Sequence, residues 1–170
     1  MSHWKLQYST FPRFRDRRGS FVKPFQRSVS DLIPKEIFYT KSHVGVCRGL
    51  HYQASPKAAE RIMHVVEGEV LDFVVKFNPI NHKIVCVSEK RLGPDTQLDY
   101  VIIPGDSCHC HGFISLKEST CIYFSSEEYD VECDFGYDLF SLPFDFSSVF
   151  HELGVPVIRS ERDESFPRLF

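Results

Sequence analysis

Glu69-Val70-Leu71-Asp72-Phe73-Val74-Val75-Lys76-Phe77 is the most regular stretch of the chain. Leu71, Phe73, Val75 and Phe77 fall on one side of a period of two, which is the pattern of a β-strand with an apolar face. Turn signals bracket it, Glu67-Gly68 before and Asn78-Pro79 after. Outward from it the same rhythm continues. Ile84–Ser88, Leu98–Ile103, His109–Leu116 and Cys121–Ser125 read as further short strands, and Arg18-Gly19, Gly93-Pro94 and Pro104-Gly105 mark turns. Many short strands between close turns predict a sandwich or barrel. Helical signal is confined to the C-terminal third, where Asp145–Leu153 predicts one short helix and Ser160–Asp163 a cap for another. The fold class is therefore all-β with minor C-terminal helices.

A chain of 170 residues suits one domain spanning 1–170. Its net charge of −3 argues against nucleic acid as a partner, while leaving room for a local basic site. No apolar run approaches the ~18 residues that cross a bilayer. The polar, aromatic N-terminus MSHWKLQYST does not read as a signal peptide. The cysteines, Cys47, Cys86, Cys108, Cys110, Cys121 and Cys133, form no C-x-x-C pair, and several sit in apolar runs. Reduced thiols and a cytoplasmic location are expected.

Four clusters carry chemical side chains. In Arg48-Gly49-Leu50-His51-Tyr52-Gln53, alternation puts His51 and Gln53 on one face and Arg48 on the other. Arg48 and His51 can share a pocket only if the strand bulges, which Gly49 would permit. The plain alternative is a strand with a hydrogen-bonded His and a surface Arg. In Pro104-Gly105-Asp106-Ser107-Cys108-His109-Cys110-His111-Gly112-Phe113, His109 and His111 share a face. They suit a metal or a pair of hydrogen-bonding barrel histidines. Tyr123 lies on a strand with Cys121 and Ser125, where a lone Tyr is ordinarily core or rim. Asp163, in Ser160-Glu161-Arg162-Asp163, fits a helix capping box as readily as a site. Arg13, Arg15, Arg17 and Arg18 crowd the N-terminus, as a solvated loop or a diphosphate grip.

Taken in order, RGLHYQ (48–53), EGEVLDFVV (67–75), IPGDSCHCHGF (103–113), the Tyr123 strand and SERD (160–163) resemble the dTDP-4-dehydrorhamnose 3,5-epimerase family of the cupin superfamily. The likeness runs from about Phe14 to Asp163. RGLHYQ is specific and HGF alone is weak. The resemblance implies a cupin-type jelly-roll barrel, a homodimer, no cofactor and no metal. It implies a nucleotide-diphospho-4-keto sugar as substrate, epimerised at C3, C5 or both. His51 would be the general base, Asp163 its orienting carboxylate and Tyr123 the acid. Arg48 would bind substrate, and Arg61 stands where the family has a lysine. Phe14 and Arg18 match the family's F-x-D-x-R-G. Gln53 and Arg162 join the expected substrate contacts. The HGF histidine is open between His111, which precedes Gly112-Phe113, and His109, which has the family's distance from Pro104.

A 4-ketone acidifies the protons at its neighbouring carbons. A base on one sugar face removes a proton, and an acid on the other returns one and inverts the centre. Histidine suits the first role, its ordinary pKa being ~6.5, and the enolate oxygen needs a donor or cation. Three departures from the family stand out, the first two at the nucleotide end. Lys23 replaces a carboxylate, Glu36-Ile37-Phe38 replaces Q-x-N, and Asp138–Pro143 replaces W-N-D-P. A base preference other than thymine is therefore expected. Two other readings stand beside this one. A metal-dependent cupin enzyme would use His51, Gln53, Glu60 and His109, although Gln replaces a His and the gap to Glu60 is long. A non-catalytic sugar-nucleotide binding module would not need His51, Tyr123 and Asp163 together.

Overall fold

The computed structural model describes residues 6–170. Twelve strands come first: β1 (Gln7–Ser9), β2 (Arg13–Asp16), β3 (Gly19–Val22), β4 (Glu36–Ser42), β5 (Cys47–Gln53), β6 (Arg61–Glu67), β7 (Val70–Phe77), β8 (Ile84–Leu92), β9 (Tyr100–Ile103), β10 (His109–Ser115), β11 (Ser119–Ser125) and β12 (Asp134–Gly136). A single 3-10 turn (Leu139–Ser141) and two helices, α1 (Phe146–Leu153) and α2 (Glu161–Glu164), follow. Two five-stranded antiparallel sheets, ordered β1-β9-β6-β11-β4 and β12-β5-β10-β7-β8, face each other, and β2–β3 is a separate hairpin. This is the all-β, jelly-roll arrangement expected. Among the described residues no helix is long and apolar enough to cross a membrane.

Strand β7 is buried on both faces except at Lys76. Leu71, Phe73, Val75 and Phe77 do share a face, but it packs outward, against Leu139, Leu142 and Phe146 of the C-terminal segment. The alternate residues Val70 and Val74 point between the sheets, among Met63, Val65, Phe113 and Tyr123. Asp72 belongs to that inner face and is fully buried. A third cluster, with Phe11, Ile62, Tyr100 and Phe124, lies on the outer face of the first sheet under the N-terminal segment.

Strand bounds differ at the ends. β8 runs on to Leu92 and β9 begins at Tyr100 rather than Leu98. The expected helix is present as α1, capped by Asp145, whose side chain accepts from the Ser148 amide, and closed by left-handed Gly154. No disulfide joins the six cysteines.

Candidate active site

A cleft of about 760 Å³ opens between the two sheets, and residues from both line it. From the second sheet come Arg48 and His51 on β5 and His111 on β10; from the first come Phe38 on β4, Arg61 on β6 and Tyr123 on β11.

Arg48 and His51 reach one cleft through a bulge. His111 pairs with His51 and Phe113 with Arg48, so Gly49 and Leu50 stand opposite Gly112 alone. Gly49 adopts φ +97°, and a Cβ there would lie 2.5 Å from the His111 carbonyl oxygen. Glycine is the residue that tolerates both.

Asp163 arrives from the far end of the chain. The Cys47 amide donates to the Ile158 carbonyl at 2.8 Å, laying the C-terminal segment beside β5. Ser160 then caps α2, its Oγ accepting from the Asp163 amide at 3.1 Å. The Asp163 carboxylate does not reach back to complete a capping box. Oδ2 accepts from the Gly49 amide at 2.9 Å, and Oδ1 lies 3.2 Å from Nε2 of His51. Burial pushes this carboxyl up, but the His51 contact and the Gly49 amide outweigh it and hold the pKa below its ordinary value. With Nε2 facing the carboxylate, Nδ1 is the His51 nitrogen free to take a proton.

A second histidine of the cleft, His111, is also paired with a carboxylate, the buried Asp72 behind it. His111 Nε2 is 2.5 Å from Asp72 Oδ1, and Tyr8 donates its hydroxyl to Asp72 Oδ2 at 3.0 Å. Asp72 was missed in the sequence, although a lone carboxylate in an apolar strand was its signal. Tyr123 is buried and stacks on Phe38, its register partner on β4, at 4.6 Å between ring centroids. Burial raises its phenol well above the usual value, keeping it protonated.

Four arginines line the cleft. Arg159 is committed to Asp138 at 2.8 Å and to the Asp163 carbonyl at 2.6 Å, and Arg162 to Asp134. Arg48 donates to Ser42 Oγ at 3.0 Å and the Lys41 carbonyl at 3.2 Å. Arg61 has a buried Nε with no partner. Among the described residues neither Arg48 nor Arg61 has a carboxylate within ion-pair range, which leaves two cations for an anionic ligand. Glu36, from the Glu36-Ile37-Phe38 stretch, also lines this space, as does Arg159, which was not singled out in the sequence.

Other expected site residues lie elsewhere. Gln53 does not face the cleft: its amide donates to the Lys57 and Glu128 carbonyls and accepts from the Asp130 amide, clamping two loops. His109 pairs with Asp106 at 2.7 Å and lines a cavity of about 10 Å³ behind His51, so His111 is the HGF histidine of the cleft. Phe14, Arg18 and Lys23 belong to the exposed β2–β3 hairpin and its exit, and do not line this chain's cleft. Arg18 is turned onto Asp16 at 2.6 Å. The metal set His51, Gln53, Glu60 and His109 is not gathered: Gln53 holds loops, Glu60 accepts from Ser30, and His109 faces Asp106.

The chain is thus an all-β jelly-roll protein with a histidine–carboxylate pair and a buried tyrosine on the two sheets of one cleft. The family model for dTDP-4-dehydrorhamnose 3,5-epimerase matches residues 6–170, and the chain belongs to that family. It is 30% identical to the dTDP-4-dehydrorhamnose 3,5-epimerase of Shigella flexneri over 125 residues, 68% of this chain and 66% of that relative's length. Among solved structures, the dTDP-4-dehydrorhamnose 3,5-epimerase of Sulfolobus tokodaii is similar with TM-score 0.77 and 24% identity, covering 96% of this chain and 94% of that one. The Bacillus anthracis enzyme, with TDP and PPi bound, gives TM-score 0.79 at 21% identity, covering 99% and 97%. These two likenesses concern the fold.

Proposed function

We propose that the protein is an isomerase that epimerises C3, C5 or both of a nucleotide-diphospho-4-keto sugar by acid–base enolisation. The observation that carries this is the placement of His51 and Tyr123 on opposite sheets of one cleft, the first held by Asp163 and the second kept neutral by burial. A sugar ring lying between them meets a base on one face and an acid on the other. His51 takes the proton at Nδ1, and Asp163 stabilises the resulting imidazolium. His111, backed by Asp72, and Arg61 face the developing enolate. Arg48 and Arg61 supply charge for the diphosphate, in keeping with the TDP-bound relative.

The unit acting here is a single domain, in a reduced compartment that its unpaired thiols suit. We take the working form to be a homodimer. Phe14 and Phe21 are 65% and 58% exposed on the β2–β3 hairpin, an apolar surface that a second copy would cover. In such a dimer Phe14, Arg18 and Lys23 would serve the neighbour's cleft. Altered base preference is assigned to Glu36 and Phe38, which line the cleft.

The test is incubation with 4-keto-6-deoxy sugars linked to dTDP, UDP, CDP and GDP, followed by chemical reduction and sugar analysis. Inverted C3 or C5 products support the reading, and the best-used nucleotide reports the base. Unchanged configuration with all four rejects catalysis and leaves the binding-module reading.

A further inference from the structure

Outside the cleft, one loop gathers three different metal-ligating side chains. Asp106, Cys108 and His109 place a carboxylate oxygen, a sulfur and an imidazole nitrogen all within 4.8 Å of one another. His109 Nδ1 is 2.7 Å from Asp106 Oδ1 and 3.9 Å from Cys108 Sγ. Ligand atoms on a tetrahedral zinc, at ~2.0–2.3 Å from the metal, stand roughly 3–4 Å apart, so small rotations of these side chains suffice. Among the described residues this is the one group of three or more such side chains so close together.

The loop is shaped and anchored. Ser107 adopts φ +58°, and Asp106 Oδ1 accepts from the Cys108 amide at 3.2 Å. The Ser107 hydroxyl accepts from the Ser55 amide at 2.9 Å, and the Cys108 carbonyl from the Phe77 amide at 2.9 Å. Three ligands from four consecutive residues on such a loop lose little chain entropy on binding.

We propose that Asp106, Cys108 and His109 form a site for a zinc-class divalent cation that fixes the loop behind the catalytic base. Thiolate with imidazole selects zinc and its neighbours, not magnesium or calcium. On binding, the Cys108 thiol releases its proton to solvent as the metal–sulfur bond forms, and solvent completes the coordination. None of the three residues lines the main cleft. Asp106, Ser107 and His109 do line the small cavity that His51 and Arg61 back onto. The cation therefore acts through the loop and not on the reacting atoms.

The experiment is titration of untagged, reduced protein with Co²⁺, reading the thiolate-to-cobalt charge-transfer band, and competition with Zn²⁺. One equivalent should produce the band, and Zn²⁺ should erase it. Cys108→Ser should abolish it. Asp106→Asn should weaken Co²⁺ binding by at least the ~10–100-fold seen on losing outer partners of a metal ligand. Cys86→Ser, at an exposed thiol on β8, should leave it intact. Circular dichroism confirms that each variant folds. Absence of the band in the wild type, or its survival in Cys108→Ser, overturns the proposal and leaves Asp106–His109 as an ion pair only.

Discussion

Nε2 of His51 lies 3.2 Å from Oδ1 of Asp163, across 112 residues of chain, while the Asp163 amide is capped by Ser160. The carboxylate and the helix cap thus use different atoms of one residue. Asp163→Asn should keep α2, because the capped group is the backbone amide, yet lower kcat by at least about tenfold with little change in KM. Steady-state kinetics beside circular dichroism checks it. Loss of helix with unchanged kcat would make Asp163 a structural residue.

The same pair gives a pH dependence. The native Asp163 pKa is depressed, so its ionised form stabilises the fold above the unfolded value of ~3.9. That contribution is lost as pH falls through the depressed native value. Wild-type Tm should therefore drop more steeply than that of Asp163→Asn on acidification below about pH 4. Parallel curves by calorimetry would contradict this.

Tyr123→Phe removes only the hydroxyl from a buried, stacked ring. Net inversion should fall by about 10²–10⁴-fold, while solvent exchange at the same carbon falls less, since His51 can remove and return a proton on its own face. Product configuration and deuterium content, measured on one sample, separate the two.

Gly49→Ala forces a side chain onto a φ of +97° and against the His111 carbonyl. Backbone strain of this kind costs about 1–3 kcal/mol, and the clash adds to it. The urea midpoint should fall, and so should kcat, because Arg48 and His51 would no longer share the cleft. A stable, fully active variant would show that the bulge is dispensable.

Charge on the exposed hairpin tests the dimer. Phe14→Asp should shift sedimentation at micromolar concentration towards the monomer and reduce activity together with it. A wild-type monomer with full activity would rule out a shared site.

Much of the fold was legible because β structure writes itself in a period of two, as in Leu71–Phe77, and because Asp145 and Ser160 are ordinary caps. The side to which β7 turns that apolar face was not legible, since both of its faces are buried and alternation does not say which meets the C-terminal helices. In the site, Gly49 did signal the bulge. His109 and His111 could not be separated by spacing, because the loop carrying Asp106 and Cys108 decides which one faces the cleft. Asp72 and Arg159 gain their roles only from the pairing of strands and the return of the C-terminus. Gln53 shared parity with His51, yet its amide is used up by backbone groups that sequence periodicity does not reveal.

The central claim is that His51 removes the proton next to the ketone. Proton NMR of a dTDP-linked 4-keto-6-deoxy sugar in deuterated buffer tests it directly. The wild type should replace the C3 or C5 proton with deuterium, and His51→Ala should stop that exchange while still binding dTDP. Equal exchange in His51→Ala would contradict the assignment.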